Sequence, residues 1–190
     1  MTLQLLRAAD HLEQPWKNGG GVTREIAVGP AGAGLETFDW RVSLAEVSEP
    51  GAFSMFPGVD RTLTVLDGQL RLVFAEAPPV TLTSASPPLA FPADIDCHGV
   101  PVGGRTVDLN VMVRRDRYRA SVERLADRDW DPAGDFALLV ALGPVALAGN
   151  GGQWRLGRHD AVLSAATDRR ARTLAARGPS LAIALTARTG

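Results

Sequence analysis

The chain has 190 residues, 20 basic and 21 acidic, a formal net charge of −1 and 6% aromatic residues. That length can bury a core in one domain or two small ones, while the balanced charge and scarce aromatics argue against a nucleic-acid partner. Cys97 is the only cysteine, which excludes an internal disulfide.

The opening stretch from Met1 to Trp16 carries Arg7, Asp10 and Glu13, so it lacks the apolar run of a signal peptide. A short helix is expected near Ala8 to Gln14. Pro15-Trp16-Lys17-Asn18-Gly19-Gly20-Gly21-Val22-Thr23-Arg24-Glu25 follows. Three consecutive glycines beside a ring, a cation and an amide let the backbone bend and let another group approach closely. The stretch reads as the rim of a binding pocket. Lys17 precedes the glycines, so it does not match a phosphate-cradling loop, in which the lysine follows them.

Strands are expected at Thr23 to Val28 and at Trp40 to Val47, where Arg41, Ser43 and Ala45 share one face. Arg61 to Leu66 and Gln69 to Phe74 flank Asp67-Gly68, the strongest hairpin signal in the chain. Short strands are expected at Val80 to Thr83 and Leu89 to Phe91, between proline pairs. Asp108 to Arg114 alternates again, with Asp108, Asn110 and Met112 on one side. Arg114-Arg115-Asp116-Arg117 reads as a solvated seam between two halves. Beyond it come shorter candidates: Tyr118 to Glu123, Phe136 to Leu142, Val145 to Ala148, Gln153 to Leu156, Ala161 to Leu163 and Leu181 to Thr186. The longest apolar stretch, Phe136 to Gly149, is too short to span a membrane. Many short strands at regular spacing predict an all-β sandwich or barrel, and a cytoplasmic protein with no membrane partner is expected.

No catalytic metal is expected. His11, His98 and His159 lie in distant contexts, and Cys97-His98 reads as a loop cysteine beside a solvated histidine. No Gly-x-Ser-x-Gly elbow is present. Phe53 and Phe56, in the stretch Gly51 to Arg61, read as core residues. Arg61 at a strand entrance can present a planar fork to a carboxylate. The spacing resembles the metal-cupin pattern with its ligands replaced. Anchored on Gly68, the Glu position falls on Arg61 and the two His positions on Met55 and Pro57. The scaffold resembles a cupin whose site is converted from binding a cation to binding an anion.

Four ordered motifs sharpen the resemblance: Pro-Trp-Lys-Asn-Gly-Gly-Gly-x-Thr-x-Glu-Ile at 15–26, Trp-Arg-x-Ser-x-Ala at 40–45, Phe-Ser-x-Phe-Pro-Gly-x-Asp-Arg at 53–61, and Asp-Leu-Asn-Val-Met-x-Arg-Arg at 108–115. Together they resemble the HutD/Ves family. The resemblance implies a metal-free bicupin, two small β-barrels in one chain, divided here into 1–115 and 116–190. It also implies no cofactor and an accessory or regulatory role in bacterial histidine utilisation, with no established catalysis. The family motifs fall on Trp16, Lys17, Asn18, Arg41, Ser43, Asp60, Arg61, Asp108 and Asn110. These are the expected ligand-binding residues, for a small anionic metabolite. A metal-independent isomerase or hydrolase, with Asp60 or Asp108 as base and Arg61 on an oxyanion, stays open as the alternative. Ala93 stands where the family pattern has glycine in Phe-x-Gly-Asp, which puts the local turn in question.

Overall fold

The structure, a computed structural model, describes residues 3–16, 19–149, 152–165 and 173–189. The chain is all-β and forms two compact units, Leu12–Arg117 on the one hand and Met1–His11 with Tyr118–Gly190 on the other. The first strand is β1 (Leu3–Leu6). Ten more lie in the unit Leu12–Arg117: β2 (Leu12–Pro15), β3 (Gly21–Gly29), β4 (Trp40–Val47), β5 (Gly51–Ala52), β6 (Val59–Asp67), β7 (Gln69–Phe74), β8 (Val80–Thr83), β9 (Leu89–Pro92), β10 (Cys97–Pro101) and β11 (Thr106–Arg114).

Within that unit β2-β3-β4-β11-β6-β9 make a six-stranded antiparallel sheet, and β5-β10-β7-β8 make a four-stranded one. A core of Val47, Leu63, Val65, Leu70, Leu72, Leu82 and Cys97 draws residues from both. This is the two-sheet jelly-roll arrangement of a cupin, with closure by packing between sheets.

Asp67-Gly68 does not close a hairpin. β6 pairs with β11 and β9, while β7 pairs with β10 and β8, so this turn hands the chain from one sheet to the other. Gly68 has φ of 75° and a Cβ there would lie 2.6 Å from the Arg105 carbonyl oxygen, so glycine is required by backbone shape and by room. The helix expected near Ala8 to Gln14 reduces to one 3₁₀ turn, Ala8–Asp10, followed directly by β2. Pairing of Leu12–Pro15 with Val22–Glu25 takes the segment into the sheet.

The other unit contains β12 (Tyr118–Ala126), β13 (Asp129–Trp130), β14 (Phe136–Ala141), β15 (Val145–Gly149), β16 (Gly152–Leu156), β17 (Ala161–Ala165), β18 (Leu174–Arg177) and β19 (Pro179–Ala187). Its sheets are β1-β17-β14-β19-β12 and β13-β18-β15-β16. Leu125, Trp130, Leu139, Leu147, Val162 and Leu174 are among the residues that fill the space between them.

The observed units differ from the division expected at 115/116: the seam falls after Arg117, and β1 belongs with the second half. Leu3 to Leu6 pair with Ser164 to Ala161, and Leu3 and Leu5 pack on that core. Asp160 ties the segment down, accepting from Arg7 Nη1 at 2.6 Å and from the Ala8 N–H at 2.8 Å. Burial raises the Asp160 carboxyl, but the Ala8 and Gly157 N–H groups and Arg7 outweigh it and hold it below the usual carboxylate value.

Candidate functional site

A cavity of about 590 Å³ opens in the unit Leu12–Arg117. Its floor is the inward face of β4, β11 and β6, and pairing register sets the floor in rows. Arg41 on β4, Met112 on β11 and Arg61 on β6 lie directly across from one another. Ser43, Asn110 and Leu63 form the next row, and Ala45, Asp108 and Val65 the one after. Strict alternation along each strand puts these residues on one face. Arg41 and Arg61 are separated by one strand, so their Cα atoms stand roughly 10 Å apart. Phe53, Ser54 and Phe56 wall one side, with Trp16, Thr23 and Leu35 also lining the cavity.

The two arginines are 5% and 7% exposed, which is rare for this residue type. Arg41 Nε donates to Glu25 Oε2 at 2.7 Å and its Nη1 donates to Ser43 Oγ at 3.4 Å. Arg61 Nη2 donates to the Ser54 carbonyl at 3.3 Å, and its guanidinium carbon lies 4.9 Å from the Phe53 ring centre, 5.9 Å from Phe91 and 6.0 Å from Phe56. Among the described residues Arg61 Nε and Arg41 Nη2 have no hydrogen-bond acceptor. Burial pulls the Arg61 guanidinium below its ordinary value, with Asp108 opposing. Asp108 is fully buried and is not part of the cavity lining. Burial raises its carboxyl to about 7, while Arg61 and the hydrogen bond from Asn110 pull the other way. Asn110 lines the cavity and donates through Nδ2 to Asp108 Oδ1.

The sequence expectations divide accordingly. Trp16, Arg41, Ser43, Arg61 and Asn110 come together at the cavity. Asp108 sits beneath its floor. Asp60 is on the opposite face of β6, where its carboxylate accepts from Arg115 Nε at 2.9 Å. Lys17 and Asn18 lie outside the described residues. Neither carboxylate weighed as a catalytic base therefore lines the cavity.

The stretch Arg114–Arg117 is more than a solvated connection. Arg115 holds Asp94 with two hydrogen bonds of 2.9 Å, and Arg114 donates to the carbonyls of Glu36, Phe38 and Pro57. Ala93 packs with Phe38, Val59 and Met112 and has no positive φ, so the turn there does not need glycine. Cys97 lies in β10 with its side chain in the core, and His98 beside it is exposed, so the pair is in a strand where a loop was expected. Met55 and Pro57 are exposed. Among the described residues no three His, Cys, Asp or Glu side chains gather that could hold a metal ion.

Sequence reasoning missed Glu25, Phe53, Phe56, Phe91 and Met112 as site components. Glu25 was recoverable: it shares a strand face with Thr23, opposite Ser43 and Ala45. The phenylalanines carry no sequence signal separating a cation-facing wall from ordinary core.

The glycines beside Trp16 serve distinct purposes. Gly19 has φ of 71°. The Gly20 carbonyl accepts from the N–H groups of Ser48 and Glu49 at 3.0 and 3.3 Å. A Cβ on Gly21 would lie 2.4 Å from the Glu46 carbonyl oxygen and 2.9 Å from the Trp16 ring. The indole therefore lies against the Gly21 backbone, and its N–H donates to Thr23 Oγ1 at 2.8 Å.

The HutD family model matches residues 8–182. A Pseudomonas putida protein described as an uncharacterized 21.2 kDa protein in the hutC 3′ region is 36% identical over 164 residues, covering 84% of this chain and 85% of that one. Protein Ves of Citrobacter koseri is 37% identical over 152 residues, covering 79% of this chain and 73% of its own length. The structure of HutD from Pseudomonas fluorescens SBW25 superposes with a TM-score of 0.86 at 29% identity, over 99% of this chain and 100% of that one. The family-model match over most of the chain, the identity to these relatives and the superposition of the whole fold lead to one assignment: the chain belongs to the HutD/Ves family of bicupin proteins.

Proposed function

We propose that this protein is a cytoplasmic binder of a small anionic metabolite, a carboxylic acid or amide of histidine degradation, and acts as an accessory or regulatory protein of histidine utilisation. One observation carries the reading: two buried guanidinium groups share one polar-floored, aromatic-walled cavity of about 590 Å³. Holding a buried cation away from water is costly, and a bound carboxylate accepting two parallel N–H bonds offsets that cost. Ser43 and Asn110 supply neutral hydrogen-bonding groups, and Trp16, Phe53 and Phe56 cover the ligand's apolar part. The family's link to histidine utilisation, and the relative from the hutC 3′ region, narrow the ligand class.

The test is a thermal-shift screen of histidine, urocanate, glutamate and N-formylglutamate, followed by calorimetry of any hit. A ligand present well above its Kd raises the melting temperature by binding only the folded state. A rise with an acid of this set, absent in Arg61→Ala, is the expected result. No rise with any of them would remove the binding reading.

A further inference from the structure

Resting on the anion-binding reading, we infer that the anion enters this cavity together with one proton, and that Asp108, sealed beneath the cavity floor, holds that proton. The geometry is a charge count over the buried groups of one sheet face. Among the described residues the inward face of this sheet carries two cations, Arg41 and Arg61, and two carboxylates, Glu25 and Asp108. Arg41 is matched by Glu25 at 2.7 Å. That leaves Arg61 on β6 and Asp108 on β11 as the second pair, both on the inward face of one sheet and one of them fully buried. An anion docked on Arg61 brings a third negative charge. Asp108 then loses its share of the only cation not already matched, in surroundings that solvate an isolated carboxylate poorly. Taking up a proton restores neutrality.

The hydrogen-bond inventory fits. Asp108 Oδ1 accepts from Asn110, whereas Asp108 Oδ2 and Asn110 Oδ1 have no partner among the described residues. A protonated Oδ2 becomes a donor beside unused acceptor capacity. Asn110 both lines the cavity and touches Asp108, so it connects the ligand's space to the buried carboxyl.

Among the described residues Arg61 of β6 is the one charged group acting directly on Asp108. The other charged groups on that inward face are Arg41 of β4 and Glu25 of β3, and Cys97 of β10 packs in the neighbouring core and interacts with Arg61. Burial pushes the Cys97 thiol up to about 11, so it stays neutral across the neutral range. The Asp108 carboxyl, raised to about 7, is poised to change state there. The sign follows from linkage: binding that takes up a proton strengthens as pH falls. Between the Asp108 midpoint of the empty protein and the higher midpoint of the occupied one affinity drops about tenfold for each pH unit, and beyond the second it levels off.

The experiment uses sodium formate, the smallest carboxylate probe, against sodium chloride at equal ionic strength. Carboxyl carbons of the ¹³C-labelled protein are followed by NMR from about pH 5 to about pH 9, spanning carboxyl and histidine titrations. The Asp108 midpoint is expected to move up by a pH unit or more in formate. If formate shifts the Trp16 indole and Asn110 amide signals while the Asp108 midpoint stays fixed, anion binding stands and the proton inference fails. If formate shifts nothing, the cavity takes no carboxylate and both fail. Asp108→Asn should bind formate with no pH slope; a slope that persists assigns the proton to another group and overturns the inference. Should that variant not fold, the wild-type titration decides the matter alone.

Discussion

Arg61 faces three phenylalanine rings and one backbone carbonyl, and its nearest carboxylate lies under the floor on which a ligand would rest. Replacing it by alanine is expected to lower affinity for a carboxylate ligand by roughly tenfold to more than a hundredfold, as befits a charge-assisted pair of about 1.5–3 kcal/mol. Arg61→Lys should also lose affinity, because an ammonium lacks the planar fork. Calorimetry on both variants checks this, and unchanged affinity in both would reduce Arg61 to a structural cation. Asp108 makes a second prediction, on stability. Its folded value of about 7 is raised above the unfolded carboxyl value. Between about pH 4 and about pH 7 the folded state keeps a proton that the unfolded chain has released, so stability falls as pH rises through that window and then levels off. Asp108→Asn removes the effect. Urea unfolding should show the variant gaining on wild type from pH 5 to pH 8, by about 2–3 kcal/mol. A constant difference between the two would mean that Asp108 does not change its proton in this range.

Period-two alternation made β4 and β11 readable, and with them Arg41, Ser43 and Asn110, because a half-polar strand in a buried sheet has only one way to face. Arg61 was singled out by its place at a strand entrance and in the cupin spacing, and alternation along β6 then turns its neighbour Asp60 outward. Register shifts between Glu25 and Ala27, so alternation along β3 is broken just past the carboxylate that pairs with Arg41. Asp67-Gly68 misled for another reason: a turn residue pair reports a change of direction and says nothing about which sheet receives the returning strand. β10 was missed because Gly99 and Pro101 interrupt its pattern. The β2–β3 connection gives a prediction at this scale. Gly21→Ala sets a methyl against the backbone of β4 and should destabilise by about 1–3 kcal/mol while moving the Trp16 ring. Gly19→Ala has open space around it and meets only the cost of left-handed backbone, about 1–2 kcal/mol, with Trp16 undisturbed. Urea melts with Trp16 emission, referenced to Trp16→Phe, separate the two, and equal effects on emission would refute the distinction.

Over the whole molecule, the boundary that sequence could not locate is the one at the amino end. Leu3–Leu6 is four residues with no alternation strong enough to mark it, and its partner Ala161–Ala165 lies at the far end of the chain. Deleting residues 1–8 removes an edge strand, two leucines packed on the core and two of the groups that hold Asp160, leaving the Gly157 N–H. The unit made of Tyr118–Gly190 is expected to unfold at lower denaturant concentration, while Leu12–Arg117 keeps its own transition; hydrogen exchange resolved along the sequence reads the two separately. Equal protection with and without the segment would show that β1 is dispensable. The reach of β1 also orders events as the protein is made. Leu3–Leu6 is translated well before its hydrogen-bonding partners, which come last but one among the strands of their sheet. At 5–20 residues per second the wait is on the order of ten to thirty seconds. Leu12–Arg117 can finish folding within that interval, so a strand made before that unit finds its place after it, and slowing translation ahead of residue 161 would lengthen the time an unpaired apolar strand spends within reach of chaperones and proteases.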